Sequence, residues 1–179
     1  LYKLKQGKQE LYLKDDGALN SYLISHAVEG AELVCGEGQP AVSAAALERL
    51  LTLYGNAQDA IRRLGHRHDP AVLEALLELP PALPVLAEGA EPARAWIDAM
   101  QQKLARTGLG RPRYRIELRA AEEEQPAALL IQRQHHGLSH DHVWPLSLFE
   151  TSEFRPIVEA ARELHDLLAR QVLPGRAVR

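Results

Sequence analysis

The sequence predicts an α+β fold from three observations. The chain opens on a lysine-apolar alternation, its middle repeats apolar residues at spacings of three and four, and the period drops to two after Arg111. The predicted order is an N-terminal β-hairpin, several helices, a second antiparallel hairpin and a C-terminal helix.

The first hairpin occupies residues 1–14. Tyr2 and Leu4 alternate with Lys3 and Lys5, Leu11 and Leu13 flank Tyr12, and Gln6-Gly7-Lys8 supplies the glycine of a tight turn. Lys3, Lys5, Lys8 and Lys14 stand against Glu10 alone before the acidic pair Asp15-Asp16. Lysines on an edge strand guard against aggregation, and the same residues could face phosphates. No methionine precedes the first strand and nothing lies upstream to pair with it, which predicts a piece of a larger protein.

Asp15 or Asp16 caps the next expected helix, with Leu19, Tyr22, Leu23 and Ala27 on one face and Gly30 as its stop. A short strand is expected over Ala31 to Cys35, then a loop to Pro40. Ser43 caps a long helix toward Leu64, with Leu47, Leu50, Leu51, Tyr54, Ile61 and Leu64 in register and Gly55-Asn56 as the expected site of a kink or interruption. Asp69-Pro70 opens a shorter helix through Leu77, with proline at the first helical position. Three prolines between Leu79 and Gly89 argue against regular helix there. Residues 79–92 are therefore expected to be an irregular connection between two halves of the 15–179 region.

Pro92 starts a helix carrying Ala93, Trp96, Ile97, Met100 and Leu104, stopped by Gly108. In the period-two stretch, Tyr114, Ile116 and Leu118 point one way and Arg113, Arg115, Glu117 and Arg119 the other. Ala127 to His135 returns as the second strand of the hairpin. The last helix is expected to be capped by Ser152, with Phe154, Ile157, Val158, Ala161, Leu164 and Leu168 along one side, ending at Pro174-Gly175.

Composition narrows the function. A hydrophobic fraction of 46% and a charged fraction of 25% over 179 residues are those of a globular chain. An aromatic fraction of 5% leaves few stacking platforms for single-stranded nucleic acid. A net charge of −3 means that any role with DNA must come from local basic surfaces. The lone Cys35 has no internal disulfide partner, there is no signal peptide, and no apolar run approaches the roughly 20 residues of a membrane span, so a cytoplasmic location is expected.

The segment His135-His-Gly-Leu-Ser-His140-Asp-His142 gathers imidazoles and a carboxylate, both of which zinc accepts as ligands. Its spacing fits no zinc motif, and neighbouring strand residues such as His135 and His136 should diverge. A solvated histidine-rich turn is the preferred reading; a metal-dependent hydrolase using His135, His140 and His142 is the alternative. Cys35, Ser139 and Ser152 lack the setting of a nucleophile, and Gly108-Leu-Gly110 follows a helix where a phosphate cradle would precede one. No catalytic residue is assigned. The DNA-contact candidates are Lys3, Lys5, Lys8, Lys14, Arg111, Arg113 and Arg115. For the arginines, a solvated face balanced by Glu122 to Glu124 is the competing reading.

The order and spacing of several segments carry a resemblance. Leu1-Tyr2-Lys3, Gly7-Lys8, Tyr12 and Asp15-Asp16 come first, then Leu47-Glu-Arg-Leu50, Tyr54 and Ile61-Arg-Arg63. Ala95-Trp-Ile97, His136-Gly137, Glu153-Phe-Arg-Pro-Ile157, Leu164 and Leu167-Leu168 follow, with low similarity from Leu79 to Pro92. Together they resemble the DNA gyrase B subunit, where the hairpin follows the metal-binding part of the TOPRIM domain and the rest is the insertion of Gram-negative-type enzymes. The paralogous topoisomerase IV subunit lacks an insertion of this kind.

The resemblance implies a parent that is an ATP-dependent type II topoisomerase introducing negative supercoils, an A2B2 heterotetramer with the gyrase A subunit acting on double-stranded DNA. It implies that the magnesium ligands, the ATP site and the DNA-cleaving tyrosine all lie outside this chain. The chain itself would then bind no cofactor, be inactive alone, brace the TOPRIM domain and assist DNA capture. No membrane is involved in this reading.

Overall fold

The computed structural model describes residues 1–6, 9–31, 42–105 and 112–172, and of residues 6, 9 and 168–172 it describes the backbone alone. The expected strand over Ala31 to Cys35, the stop at Gly108 and the terminus at Pro174-Gly175 lie outside these residues. The chain divides into two compact units, one of residues 1–55 and 169–179 and one of residues 56–168.

The first unit begins with strands β1 (Tyr2–Gln6) and β2 (Gln9–Leu13), paired antiparallel with Tyr2 opposite Leu13, Lys3 opposite Tyr12 and Leu4 opposite Leu11. Side chains alternate across a strand, so Tyr2, Leu4, Leu11 and Leu13 share one face and Lys3, Lys5, Glu10 and Tyr12 the other. Helix α1 (Asp16–Val28) follows, its first turn closed by the Asp15 carboxylate, which accepts from the Ala18 amide at 2.9 Å. The expected apolar stripe on α1 does not line a core. Leu23 is 50% exposed and Val28 is the buried residue of the helix; among the described residues of its unit α1 lies along β2 and is tied to β1 by the Tyr2–Asp16 bond.

Helix α2 (Ala44–Leu64) starts at the expected cap, where Ser43 Oγ accepts from the Ala46 amide at 3.3 Å. It continues as helix through Gly55-Asn56, so the interruption expected there does not occur. Both residues are solvent-exposed, so they cost only their weak propensity, about 1 kcal/mol for glycine. Burial of Ala57, Ala60, Ile61 and Leu64 just beyond them outweighs that cost. The unit boundary falls at this point.

The second unit holds the core. Helix α3 (Pro70–Leu77) buries Val72, Leu73 and Leu76, and helix α5 (Ala90–Ala105) buries Ala93, Trp96, Met100 and Leu104. Between them, residues Ala82–Glu88 form a regular helix, α4, which corrects the irregular segment expected from the prolines. Pro81 precedes the helix and Pro84 stands at its third position, where amides have no intrahelical acceptor and proline sacrifices nothing. The Pro80 carbonyl accepts from Trp96 Nε1 at 2.9 Å.

Strands β3 (Arg113–Arg119), β4 (Ala128–His135) and β5 (Leu138–Pro145) form an antiparallel sheet in that order. The second hairpin is thus a three-stranded sheet, and most of the histidine-rich segment is strand where a turn was expected. Only His136-Gly137 turns, with φ of 50° and 80°, the two-residue, doubly left-handed loop that matches the twist of paired strands. Histidine tolerates this conformation better than most residues but is a weaker turn signal than Asn or Asp, which is why β5 was missed.

Ile116, Leu129, Ile131 and Trp144 bury one face of the sheet. A short 3₁₀ helix (Leu146–Glu150) brings Phe149 beside Trp144, and helix α6 (Arg155–Val172) follows Phe154, which has no solvent exposure. Ser152 does not cap α6. The Thr151 carbonyl accepts the amides of Phe154 and Arg155 at 3.2 and 3.0 Å, and helix begins only after Phe154 is seated. Among the described residues no single helix is long and apolar enough to cross a membrane.

Candidate nucleic-acid interface

On the hairpin, the lysines differ in how far their charge is already spent. Lys3 Nζ lies 2.8 Å from Glu10 Oε2 and 5.6 Å from the centre of the Tyr12 ring, so a carboxylate and a π face both hold it. Lys5 and Lys14 are exposed and have no ion pair among the described residues. Lys8 lies outside them. At the base of the hairpin, the Tyr2 hydroxyl donates to the Asp16 carboxylate, and that bond and charge raise the phenol pKa. Strand β1 is thereby tied to the start of α1.

The arginine face of β3 is also uneven. Arg115 donates from Nε to Glu117 Oε1 at 2.8 Å, with its terminal nitrogen 2.6 Å from the same oxygen. The neutralising carboxylate therefore comes from the strand itself, where Glu122 to Glu124 had been expected. Arg113 is exposed and unpaired among the described residues, and Arg111 lies outside them. Arg119 reaches the Pro126 carbonyl at 3.4 Å while its Nε is buried without a partner. The outer face continues across the sheet through Gln132, Gln134, Ser139 and Asp141.

The histidines do not assemble into a metal site. The rings of His135 and His136 sit 3.9 Å apart rather than diverging, because His136 has left the strand in its left-handed conformation. His140 and His142 follow on β5, but among the described residues no three His, Cys, Asp or Glu side chains are placed to hold a metal ion. His142 instead lies in the electrostatic surroundings of His68. His68 meets Trp144 and Phe154 edge-on at 5.1 and 5.4 Å, and burial there pushes its pKa down; the charges of Arg67 and His142 act the same way and Glu153 opposes them.

A polar node that the sequence did not reveal lies at Asp69. One carboxylate oxygen accepts from the Ala71 amide at 2.9 Å and caps α3; the other accepts from the Tyr114 hydroxyl at 3.0 Å and lies 3.2 Å from Arg133 Nε. The Arg133 contact is an ion pair without hydrogen-bond geometry. Desolvation, reinforced by the Asp69 charge and hydrogen bond, pushes the Tyr114 phenol up to about 12. The Asp-Pro cap was legible, but its second task of fastening the helix to β3 and β4 was not.

Among the described residues the arrangement offers unneutralised cations on a surface, suited to phosphate contact, and no converging acid, base and nucleophile. A family model described as the DNA gyrase B subunit insert domain matches residues 31–173, and one described as the hook of GyrB matches residues 1–28.

Proposed function

The chain belongs to the DNA gyrase B subunit insert family, joined to a hook segment at its N-terminal end, and from that premise we propose that it is a noncatalytic accessory body of a type II topoisomerase. In this reading the hairpin of residues 1–14 is the junction with the TOPRIM domain. The region behind it braces that domain and helps an A2B2 gyrase capture double-stranded DNA in the cytoplasm. Magnesium and ATP are held elsewhere in the subunit, and the chain alone catalyses nothing.

The observation that carries the DNA part is the difference in charge compensation. Among the described residues Lys5 and Lys14 of the hairpin carry no ion pair, whereas on β3 only Arg113 is unpaired and Arg115 already spends its charge on Glu117. A phosphate contact needs an uncompensated cation, and each one contributes about 0.9 to the slope of log affinity against log salt.

The test uses intact gyrase. Charge reversal at Lys3, Lys5 and Lys8 is expected to lower DNA-stimulated ATPase activity and flatten the salt slope more than reversal at Arg113 and Arg115. Equal effects, or the opposite ranking, would refute the assignment.

A further inference from the structure

We propose that the free edge of β5 is a docking site for an extended segment of a partner protein, which adds as a fourth strand and presents an apolar side chain followed two positions later by lysine or arginine.

The two edges of the sheet are treated differently. Along β3, α5 lies against the strand and Gln101 Oε1 accepts the outward Ile116 amide at 3.0 Å. Among the described residues the β5 edge has no such cover. The Leu146 amide donates to the Ala127 carbonyl at 2.9 Å and continues the β4–β5 ladder, so the even positions of β5 bond β4. Ser139, Asp141 and Val143 consequently turn their N–H and C=O groups outward, and among the described residues those groups bond nothing. Open edges of this kind are templates for strand addition.

The side chains strengthen the assignment. Among the described residues of the second unit, the exposed large apolar side chains are Leu138 at 65% and Val143 at 54%, both on β5. Val143 stands opposite Leu130 on the outer face, in a shallow cavity of about 380 Å³ bordered by Arg115, Glu117, Gln132 and Asp141. A side chain projecting from an added strand opposite Val143 would pack against the exposed Val143 on the same face.

Charge selects the occupant. Arg115 and Glu117 offset each other, while among the described residues Asp141 accepts only the neutral Gln132 amide at 3.1 Å, leaving one uncompensated carboxylate beside the apolar floor. A second copy of this chain fits poorly. The antiparallel register that pairs Ser139, Asp141 and Val143 fully with their copies sets Asp141 against Asp141, and like charges directly opposite destabilise a pair. A lysine or arginine at that position reverses the sign of the interaction. The inference rests on the sheet edge and is independent of the DNA contacts proposed above.

The probe is a capped heptapeptide of threonines with valine second, lysine fourth and serine sixth, titrated into the full chain and followed by amide chemical shifts. Saturable shifts at Ser139, Asp141 and Val143 are expected. N-methylation of the peptide lysine, whose amide faces β5, should abolish them, and N-methylation of the third threonine in the chain, whose amide faces away, should not. Asp141→Lys should weaken binding at least tenfold, and glutamate in place of the peptide lysine should restore it. No saturable shifts at β5 up to about 5 mM peptide, or binding indifferent to both N-methylation and Asp141→Lys, would overturn the proposal. So would self-association of the chain through this edge in sedimentation.

Discussion

The hairpin β1–β2 and the sheet β3–β5 are both antiparallel, both show period two and both carry a basic face, but they are held together differently. In the sheet, Ile116, Leu129, Ile131 and Trp144 are each less than 5% exposed and pack into a core with Phe149 and Phe154. In the hairpin no described residue is buried, and its links are polar: Lys3 with Glu10, Tyr2 with Asp16. Alternation predicts a strand equally well in both cases; it does not say whether the apolar face is covered. A two-stranded ribbon with a largely uncovered apolar face is marginal by itself.

The sharpest way to break the comparison is to delete core side chains. Trp144→Ala or Phe154→Ala should cost about 3–5 kcal/mol in urea unfolding of the second unit, whereas Leu11→Ala in the hairpin should cost less than about 1 kcal/mol. A similar cost for Leu11→Ala would mean that the hairpin face is buried in solution.

Asp69→Ala comes next. It removes a helix cap and leaves Tyr114 and Arg133 facing a void, for a loss of about 2–3 kcal/mol. It should also return Tyr114 toward an ordinary tyrosine titration. In the native chain the raised phenol pKa means that folded Tyr114 keeps its proton while unfolded tyrosine loses it near pH 10. The associated stability is present below about pH 10 and fades as pH rises through about 12. Ultraviolet titration of tyrosine in the two proteins checks this.

His68 should give a smaller effect at the acid side. Its folded pKa is depressed, so its contribution is full above about pH 6.5, the ordinary histidine value, and is lost as pH falls through the folded value. His68→Phe keeps an edge-on ring between Trp144 and Phe154 and should narrow the difference between urea midpoints measured at neutral and mildly acid pH. An unchanged difference would place the acid sensitivity in other groups.

Lys3→Met should be smallest, within about 0.5 kcal/mol, because exposed ion pairs contribute little. A larger loss would show that the hairpin depends on its charged face more than the sheet does.

The sequence by itself determined the local elements. The N-terminal hairpin, the Asp15, Ser43 and Asp69 caps, the course of α2 and α3, and the alternation of β3 all follow from short-range physics: glycine turns, side-chain caps and hydrophobic period. It also carried the kinship with gyrase B, through the order of its segments. What only the tertiary structure decided depends on residues distant in sequence. Whether Leu23 or Val28 of α1 is covered, that Pro80 accepts a bond from Trp96, that Asp69 serves Tyr114 and Arg133, and that β5 follows a His-Gly turn could not be read from any short window. The free edge of β5 belongs to this second kind. An edge exists only relative to the strands that fill the other positions of the sheet, and Asp141 and Val143 acquire their meaning from Gln132 and Leu130 across the ladder.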